Sequence, residues 1–435
     1  MGTPSKGRTR SGSGGSSTTY RQLSAAGAPR GGRPPPSGAR SPSASVAVVD
    51  RTDSRRSRIE PFHVMDVWAA AAERALTHGD VLTLAAGQPS TPAPAPVLRA
   101  AREALEDQLL GYTVALGLPQ LRHAIAGHHR RSTGVDVTAA DVVVTTGSSG
   151  AFTLLFLAAF DAGDVVAVAR PGYPAYRNTL TALGCTVLEL DCGPDTRFQP
   201  TVAMLEALPE PPAGLIVASP ANPTGAILAA DELAALARWC EAHGTLLISD
   251  EIYHGISYGP TTASAWETSR EAVVIGSTSK YFSMTGWRLG WVLLPERLRG
   301  AVDRLAGNLT ICPPALAQHA AVAAFTDESY RELDSHVTRY RTNRDLLLAG
   351  LPELGLVDLA PADGAFYVYA DVDHLTQDST AWCAALLAET GVALAPGVDF
   401  DTVRGGSTVR LSFAGATADV AQALERMASS ALLRR

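Results

Sequence analysis

The sequence is almost without lysine. Lysine and arginine together number 36, yet only Lys6 and Lys280 are lysines. Arginine cannot give up its proton near neutral pH, whereas a lysine amine can be desolvated into a free nucleophile. Lys280 is therefore a candidate reactive amine, although a lysine retained by chance at the surface would give the same pattern.

Paired cysteines and long apolar runs are also missing. The five cysteines are scattered and form no C-x-x-C pair, so we expect neither a disulfide framework nor a metal site. This usage favours a reducing compartment, and we expect a cytoplasmic protein. No stretch approaches the roughly 18 uninterrupted apolar residues that indicate a membrane span, so we expect no membrane partner.

Acidic residues are absent from the first 49 positions. Residues 1–58 carry eleven basic and two acidic residues, a net charge of +9, while the remaining 25 basic and 41 acidic residues give −16. The Ser/Gly/Pro-rich first 58 residues are predicted to be a disordered leader, with an organelle transit signal or a binding tail as alternatives. The acidic body argues against a nucleic-acid partner.

From residue 59 onwards, strand-like and helix-like stretches alternate. Helices are predicted over 64–76, 96–110, 151–160 and 231–244. Short apolar, β-branched stretches predict strands over 142–146, 165–169, 186–190, 215–219, 245–249, 272–276, 289–294 and 409–413. This alternation predicts an α/β fold with a mostly parallel central sheet flanked by helices, with ligands beyond the carboxyl ends of the strands.

The same pattern predicts two domains after the leader. Residues 106–314 would form the large domain that contains the sheet. Residues 59–105 and 315–435 would together form a smaller α+β domain, because helices dominate after residue 315 and one strand precedes the last helix.

Polar side chains follow several predicted strands. Ser148 and Ser149 open a helix, where free backbone N–H groups suit a phosphate, although an ordinary helix cap would look the same. Asp250 ends a buried strand and needs a cationic partner, either a ligand or a protein arginine. Ser277 and Arg288 flank Lys280 and could also bind phosphate.

These residues fit one ligand together. It would carry a phosphate, a protonated ring nitrogen that faces Asp250, and an aldehyde within reach of Lys280. Pyridoxal phosphate has these three groups, and a lysine and an acidic residue are its usual protein partners.

The chain resembles the class I/II aminotransferases of pyridoxal-phosphate fold type I from about residue 60 to 430. The resemblance rests on eight runs that match in order and spacing. They are LAAGQP (84–89), GYTVALGLPQLR (111–122), TTGSSGAF (145–152), RPGYPAY (170–176), SPANPTG (219–225), SDEIY (249–253), STSKYFSMTGWRLG (277–290) and VRLSF (409–413).

The resemblance implies a role for each matching residue. Lys280 would bind the cofactor covalently, Asp250 would pair with its ring nitrogen, and Tyr173 would stack on its ring. The remaining roles are phenolic-oxygen contacts for Asn222 and Tyr253, phosphate contacts for Ser148, Ser149, Ser277 and Arg288, and substrate contacts for Gly87, Asn222 and Arg410. Tyr112 would reach the phosphate of a neighbouring subunit, which implies a homodimer with shared active sites.

The resemblance implies a pyridoxal-phosphate-dependent aminotransferase. It would move an amino group between an L-amino acid and a 2-oxo acid by a ping-pong mechanism, with Lys280 as general base. The donor would be broadly neutral or aspartate-like. Alternatives are a β-lyase or condensing enzyme of the same fold, an acyl-serine enzyme based on the S-x-x-K run at 277–280, and a non-catalytic ligand-binding protein.

Overall fold

The structure is a computed structural model that describes residues 53–434. The predicted leader lies outside the described residues except for positions 53–58, where Arg55–Ser57 form a short 3-10 turn. Within the described part of the chain, no helix combines the length and the apolar character that crossing a bilayer requires. The domain boundaries after residues 105 and 314 stay predictions.

Strands and helices alternate over most of the described chain. The strands are β1 (Leu82–Thr83), β2 (Val142–Thr145), β3 (Val165–Arg170), β4 (Thr186–Asp191), β5 (Gly214–Ala218), β6 (Leu246–Asp250), β7 (Val273–Ser277), β8 (Gly290–Leu293), β9 (Tyr367–Asp371), β10 (Val392–Ala393), β11 (Ala395–Pro396) and β12 (Thr408–Ser412). The α-helices are α1 (His63–Thr77), α2 (Ala95–Asp107), α3 (Pro119–Thr133), α4 (Gly147–Ala159), α5 (Pro174–Leu183), α6 (Val202–Glu206), α7 (Ala230–His243), α8 (Glu296–Leu309), α9 (Ala315–Ala321), α10 (Asp327–Glu353), α11 (Ser379–Thr390) and α12 (Thr417–Ser429).

Seven strands form the central sheet in the order β2-β8-β7-β6-β5-β3-β4. Strand β8 runs antiparallel to β2 and β7, and the other neighbouring pairs are parallel. Every residue of β6 and β7 is buried, as expected for central strands covered on both faces. The predicted mostly parallel sheet is confirmed.

Successive side chains of the strands enter two different apolar cores. Ile216 and Ile248 pack on one face, in a core that includes residues of α4, α5 and α8. Leu215 and Leu247 point to the other face and join a core that includes residues of α3, α7 and α10. This alternation follows from the two-residue period of a strand, and it leaves only the strand ends free to carry polar side chains.

A second, smaller sheet contributes one functional side chain. Its antiparallel order is β11-β12-β9, and Arg410 of β12 lies between Ala395 and Tyr369 of its neighbours. Strands β1 and β10 form a separate parallel pair. Helix α1 packs against this region, where Val64 and Phe400 belong to the same apolar core.

Candidate active site

A cavity of about 190 Å³ lies where β5, β6 and β7 end. The cavity brings together most of the residues that the sequence singles out. Those that line it are Gly87, Ser148, Ser149, Tyr173, Asn222, Asp250, Tyr253, Lys280, Arg288 and Arg410. We call Asn222, Asp250, Lys280 and Arg288 the polar floor of this cavity.

Lys280 lies in the loop that follows β7. Its amine donates a hydrogen bond to the Gly87 carbonyl oxygen at 2.7 Å. Burial lowers the pKa of the Lys280 amine to about 8, and the nearby positive charges of Arg410 and Arg288 act in the same direction. A substantial fraction of this amine is therefore neutral, and nucleophilic, close to physiological pH.

Asp250 is the last residue of β6 and is 2% exposed. Its carboxylate accepts a hydrogen bond from the Tyr176 hydroxyl and another from the Ile252 backbone N–H. Burial raises the pKa of Asp250 to about 6, although these two hydrogen bonds and the charge of Lys280 oppose the shift. Asp250 thus remains mostly ionised at neutral pH and can face a cationic group.

The first turn of α4 and the Arg288 side chain form an anion site. Thr146, which precedes α4, makes no side-chain cap, and the first turn of α4 contains no acidic residue. Gly147 has a φ of +76°, and a Cβ at this position would lie 2.5 Å from the Arg288 guanidinium. Free N–H groups, two serine hydroxyls and a guanidinium are therefore available for a phosphate.

Arg410 reaches the cavity from the smaller sheet and is 3% exposed. Its guanidinium donates to Asn222 Oδ1 at 2.9 Å and to the Ala85 carbonyl oxygen at 2.8 Å. The rings of Tyr367 and Phe400 lie 4.5 and 4.6 Å from the guanidinium carbon. This fixed guanidinium is well placed to bind a carboxylate.

Two predicted residues do not line the cavity. The Ser277 hydroxyl is buried, donates to the Leu289 carbonyl oxygen at 3.3 Å and accepts from the Ser279 N–H. Tyr112 is 84% exposed, which is compatible with its predicted role towards a neighbouring subunit. Both roles stay predictions.

Two tyrosines of the site were not predicted from the sequence. Tyr176 bonds to Asp250, and the Tyr367 hydroxyl lies 2.7 Å from the Tyr253 hydroxyl. Tyr176 stands in the RPGYPAY run, three residues after Tyr173 and therefore on the same side of the start of α5. That spacing could have revealed it, whereas no local pattern marks Tyr367.

A group of apolar residues near the start of α1 also lines the site without having been predicted from the sequence. Phe62, Val64, Met65 and Trp68 line the cavity, and we call them the apolar roof. The sequence predicts an amphipathic helix here, but nothing in its period says that one face covers a site in a distant part of the chain.

The residues around the cavity fit pyridoxal phosphate. The anion site suits its phosphate, the ionised Asp250 suits a protonated ring nitrogen, and the neutral fraction of Lys280 suits its aldehyde. Tyr253 and Asn222 also line the cavity and offer a hydroxyl and an amide for the remaining ring oxygen.

Comparisons with known proteins identify the family of this chain. Residues 79–427 match the family model described as aminotransferase class I and II. A valine–pyruvate aminotransferase of Mycobacterium tuberculosis is 60% identical over 384 residues, which cover 88% of this chain and 99% of that protein. An aspartate/prephenate aminotransferase of Thermus thermophilus is 36% identical over 380 residues, covering 86% and 97%.

Comparisons with solved structures also find aminotransferases. The crystal structure of an aminotransferase from Mycobacterium tuberculosis matches with a TM-score of 0.86 and 59% identity, over 87% of this chain and 98% of that one. An aspartate aminotransferase from Thermus thermophilus with maleate matches with a TM-score of 0.82 and 35% identity, over 87% and 99%.

Proposed function

We infer the substrate class and the residue roles from the premise that this chain belongs to the aminotransferase class I and II family. The membership confirms the predicted resemblance, the fold type I architecture and pyridoxal phosphate as the cofactor. The chain is an aminotransferase that moves an amino group between an amino acid and a 2-oxo acid.

We propose a neutral, apolar amino donor such as valine, with pyruvate as acceptor. The apolar roof is the observation that carries this proposal, because it offers a substrate side chain hydrocarbon contacts. Among the described residues that line the cavity, the lysine and arginines are Lys280, Arg288 and Arg410. Each has a role towards cofactor or α-carboxylate, so none is left for a side-chain carboxylate. The name of the 60% identical relative points to the same substrates.

The floor residues and four further residues that line the cavity would hold the cofactor. Lys280 would hold it covalently, Asp250 would face its ring nitrogen, and Ser148, Ser149 and Arg288 would bind its phosphate. Tyr173, Asn222 and Tyr253 would contact the ring and its oxygen. Pyridoxal phosphate, when bound, supplies an electron-withdrawing ring that accepts the electron pair left on the substrate Cα.

The protein residues would then bind the substrate and move protons. Arg410 would hold the α-carboxylate, helped by the backbone at Gly87, where a Cβ would collide with the Tyr367 hydroxyl. Once the substrate amine has replaced it on the cofactor, Lys280 Nζ would take the proton from the substrate Cα and deliver it to the former aldehyde carbon of the cofactor, since its lowered pKa allows both states near neutral pH. Asp250, as an anion, would keep the ring nitrogen protonated. The apolar roof would exclude water from these steps.

We further propose a homodimer with shared active sites. Large apolar side chains are unusually exposed around Tyr112: Leu105 is 60% exposed, Leu109 97% and Val114 58%. Ile311 is 51% exposed and lies nearby, because the neighbouring Cys312 accepts a hydrogen bond from the Thr113 N–H. An apolar surface of this kind suits burial against a second copy of the chain.

Hybrid dimers test this assembly. A chain with Tyr112→Ala and a chain with Lys280→Ala would each be weakly active or inactive alone. When they are mixed, unfolded and refolded together, each hybrid should regain one intact site, since Lys280 and Tyr112 then come from different chains. A mixture that regains no activity, although light scattering shows dimers, would contradict shared sites.

The cytoplasmic location also remains a proposal. All five cysteines are free, and Cys185, Cys192, Cys240 and Cys383 are buried thiols. Reduced cysteines suit a reducing compartment. Fractionation of the source cells with an antibody against this chain tests the location.

Kinetics on a donor panel test the substrate class. With pyruvate as acceptor, kcat/KM for valine should exceed that for aspartate by at least about 100-fold, because a carboxylate under an apolar roof loses its hydration without gaining a partner. Equal kcat/KM values for the two donors would contradict the proposal. A Lys280→Ala variant is the control, and release of pyruvate from cysteine without an added oxo acid would indicate β-lyase activity instead.

A further inference from the structure

Helix α1 begins without a local cap. The residue before its first turn is Phe62, which has no polar side chain, so the first backbone N–H groups lack a nearby acceptor. Asp399 supplies one from the far end of the chain. Its two carboxylate oxygens accept from the His63 N–H at 2.8 Å and from the Val64 N–H at 2.7 Å.

This long-range cap is buried and charged. Asp399 is 2% exposed, and a carboxylate that accepts two N–H groups at a helix N-terminus forms strong, charge-assisted hydrogen bonds. The far end of α1 is held separately by Arg74, which bonds to Asp80 and to the Ala388 carbonyl oxygen. The cap therefore fixes the end of α1 that carries the apolar roof.

The segment that carries Asp399 also contacts Arg410, the proposed ligand of the substrate α-carboxylate. The next residue, Phe400, packs its ring 4.6 Å from the Arg410 guanidinium. The Asp399 carbonyl oxygen accepts a hydrogen bond from Arg177 at 3.3 Å. Asp399, which caps α1, is therefore adjacent in the chain to a residue that packs on Arg410, the proposed ligand of the α-carboxylate.

We propose that Asp399 is a positioning residue that holds the apolar roof over the substrate side chain, and so sets the preference for bulky over small apolar donors. This inference rests on the proposed function of the cavity. Valine and alanine share the α-amino and α-carboxylate groups that the floor and Arg410 would bind. Only the larger side chain of valine extends far enough from Cα to depend on where the roof lies.

Two substitutions test the inference in the holoenzyme. Asp399→Ala removes both acceptors, and kcat/KM for valine should fall by at least about tenfold, mainly through KM. The value for alanine should fall by less than about threefold. Asp399→Asn keeps one carbonyl oxygen and should give an intermediate valine-to-alanine ratio, which keeps the test available if the alanine variant does not fold.

The matched control is Asp378→Ala. Asp378 caps α11 by accepting from the Ala381 N–H at 3.0 Å, and it does not line the cavity. Asp378 is exposed and accepts from one nearby N–H, so its loss removes a weaker, local helix cap and should leave the valine-to-alanine ratio unchanged. A change of this ratio caused merely by the loss of a helix cap would appear in both variants.

Two measurements that need no turnover complete the test. In Asp399→Ala, amide hydrogen exchange of residues 62–77 should accelerate, while exchange in α11 should not. Binding of 3-methylbutanoate, an unreactive carboxylate with a branched side chain, should weaken by about tenfold, whereas binding of propanoate should change little.

An equal loss for valine and alanine, or unchanged exchange in α1, would overturn the inference. Its failure is distinguishable from failure of the proposed function. If the wild-type enzyme prefers aspartate, the substrate class is wrong, but the effect of Asp399 on bulky relative to small apolar donors can still be measured.

Discussion

The polar floor and the apolar roof of the cavity are built in different ways. Three floor residues, Asn222, Asp250 and Lys280, stand at or shortly after the ends of buried parallel strands, and Asp250 is the last residue of one of them. The fourth, Arg288, precedes the antiparallel strand β8. The roof belongs to the start of one helix near the beginning of the described chain, where Val64 is buried but Met65 is 51% exposed. Packing in the central sheet fixes the floor. The roof is held by Asp399, which lies between two strands of the smaller sheet, and by contacts such as that between the rings of Phe62 and Tyr173.

This difference assigns separate tasks to the two regions. The floor carries the reacting and charged groups, so damage there should reduce turnover of every amino donor. The roof offers only hydrocarbon, so damage there should change the ranking of donors and spare the chemistry. The following substitutions test whether the floor acts on all donors and the roof acts on the ranking of donors.

Replacement of Lys280 by arginine should have the largest effect. Lys280→Arg keeps the positive charge but removes the amine that can lose a proton, so kcat should fall by at least about 1000-fold for all donors. Steady-state kinetics with valine and alanine measure the effect, and Lys6→Arg is the matched control. Retention of full turnover would remove Lys280 from the chemistry.

The acidity of Lys280 should differ from that of an ordinary lysine by about 300-fold, since its pKa falls from 10.5 to about 8. Reductive methylation with ¹³C-formaldehyde gives NMR signals for the two lysines of the cofactor-free protein, and Lys6→Arg assigns them.

The amine is protonated below its pKa and neutral above it, so the Lys280 signal should titrate near pH 8. Arg410→Gln removes a positive neighbour and should move this midpoint to higher pH. A midpoint near 10.5 in the wild type would show that burial does not activate the amine.

Replacement of Asp250 by asparagine should lower kcat by about 100-fold for every donor, because a charged hydrogen-bond partner is lost from a buried site. Asp141→Asn is the control, as Asp141 is also largely buried but pairs with Arg299 away from the cavity. An Asp250→Asn enzyme with normal kcat would break the assignment of the ring nitrogen to this carboxylate.

Tyr176→Phe should lower kcat by about tenfold, as it removes one hydrogen bond to a charged group. That bond lowers the pKa of Asp250, so its loss should raise this pKa. Since the ionised form is the active one, activity should decline at a higher pH on the acid side than in the wild type. Tyr258→Phe also loses a buried hydrogen bond and should leave the pH profile unchanged.

Met65→Ala should have the smallest effect. Because Met65 is half exposed, the loss of its contacts should lower kcat/KM for valine by only about threefold and leave kcat for alanine unchanged. Met204→Ala on α6 is the control. A loss of turnover with both donors would show that the roof takes part in the chemistry.

The floor was predictable from the sequence for a physical reason. Asp250 ends one apolar strand and Lys280 lies three residues after another, and the ends of parallel strands converge at one edge of the sheet. Local sequence patterns therefore predicted both the strands and the polar side chains at or beyond their ends. The same reasoning predicted the mostly parallel sheet, in which β8 alone runs opposite to the other six strands.

The roof was not predictable for the opposite reason. The period of α1 shows that it has an apolar face, but the position of that face depends on Asp399, which lies 336 residues from His63 in the chain. Tyr367 reaches Tyr253 through a similar long-range contact. Such contacts have no local signal, because they depend on how two sheets pack together.

The covalent partner of pyridoxal phosphate tests the account most directly. Holoenzyme reduced with borohydride and digested with trypsin should yield a peptide spanning residues 271–288 that carries one added pyridoxyl group on Lys280 and resists cleavage there. An unmodified Lys280, or the pyridoxyl group on Lys6 instead, would contradict the assignment of the reactive amine on which the proposed mechanism depends.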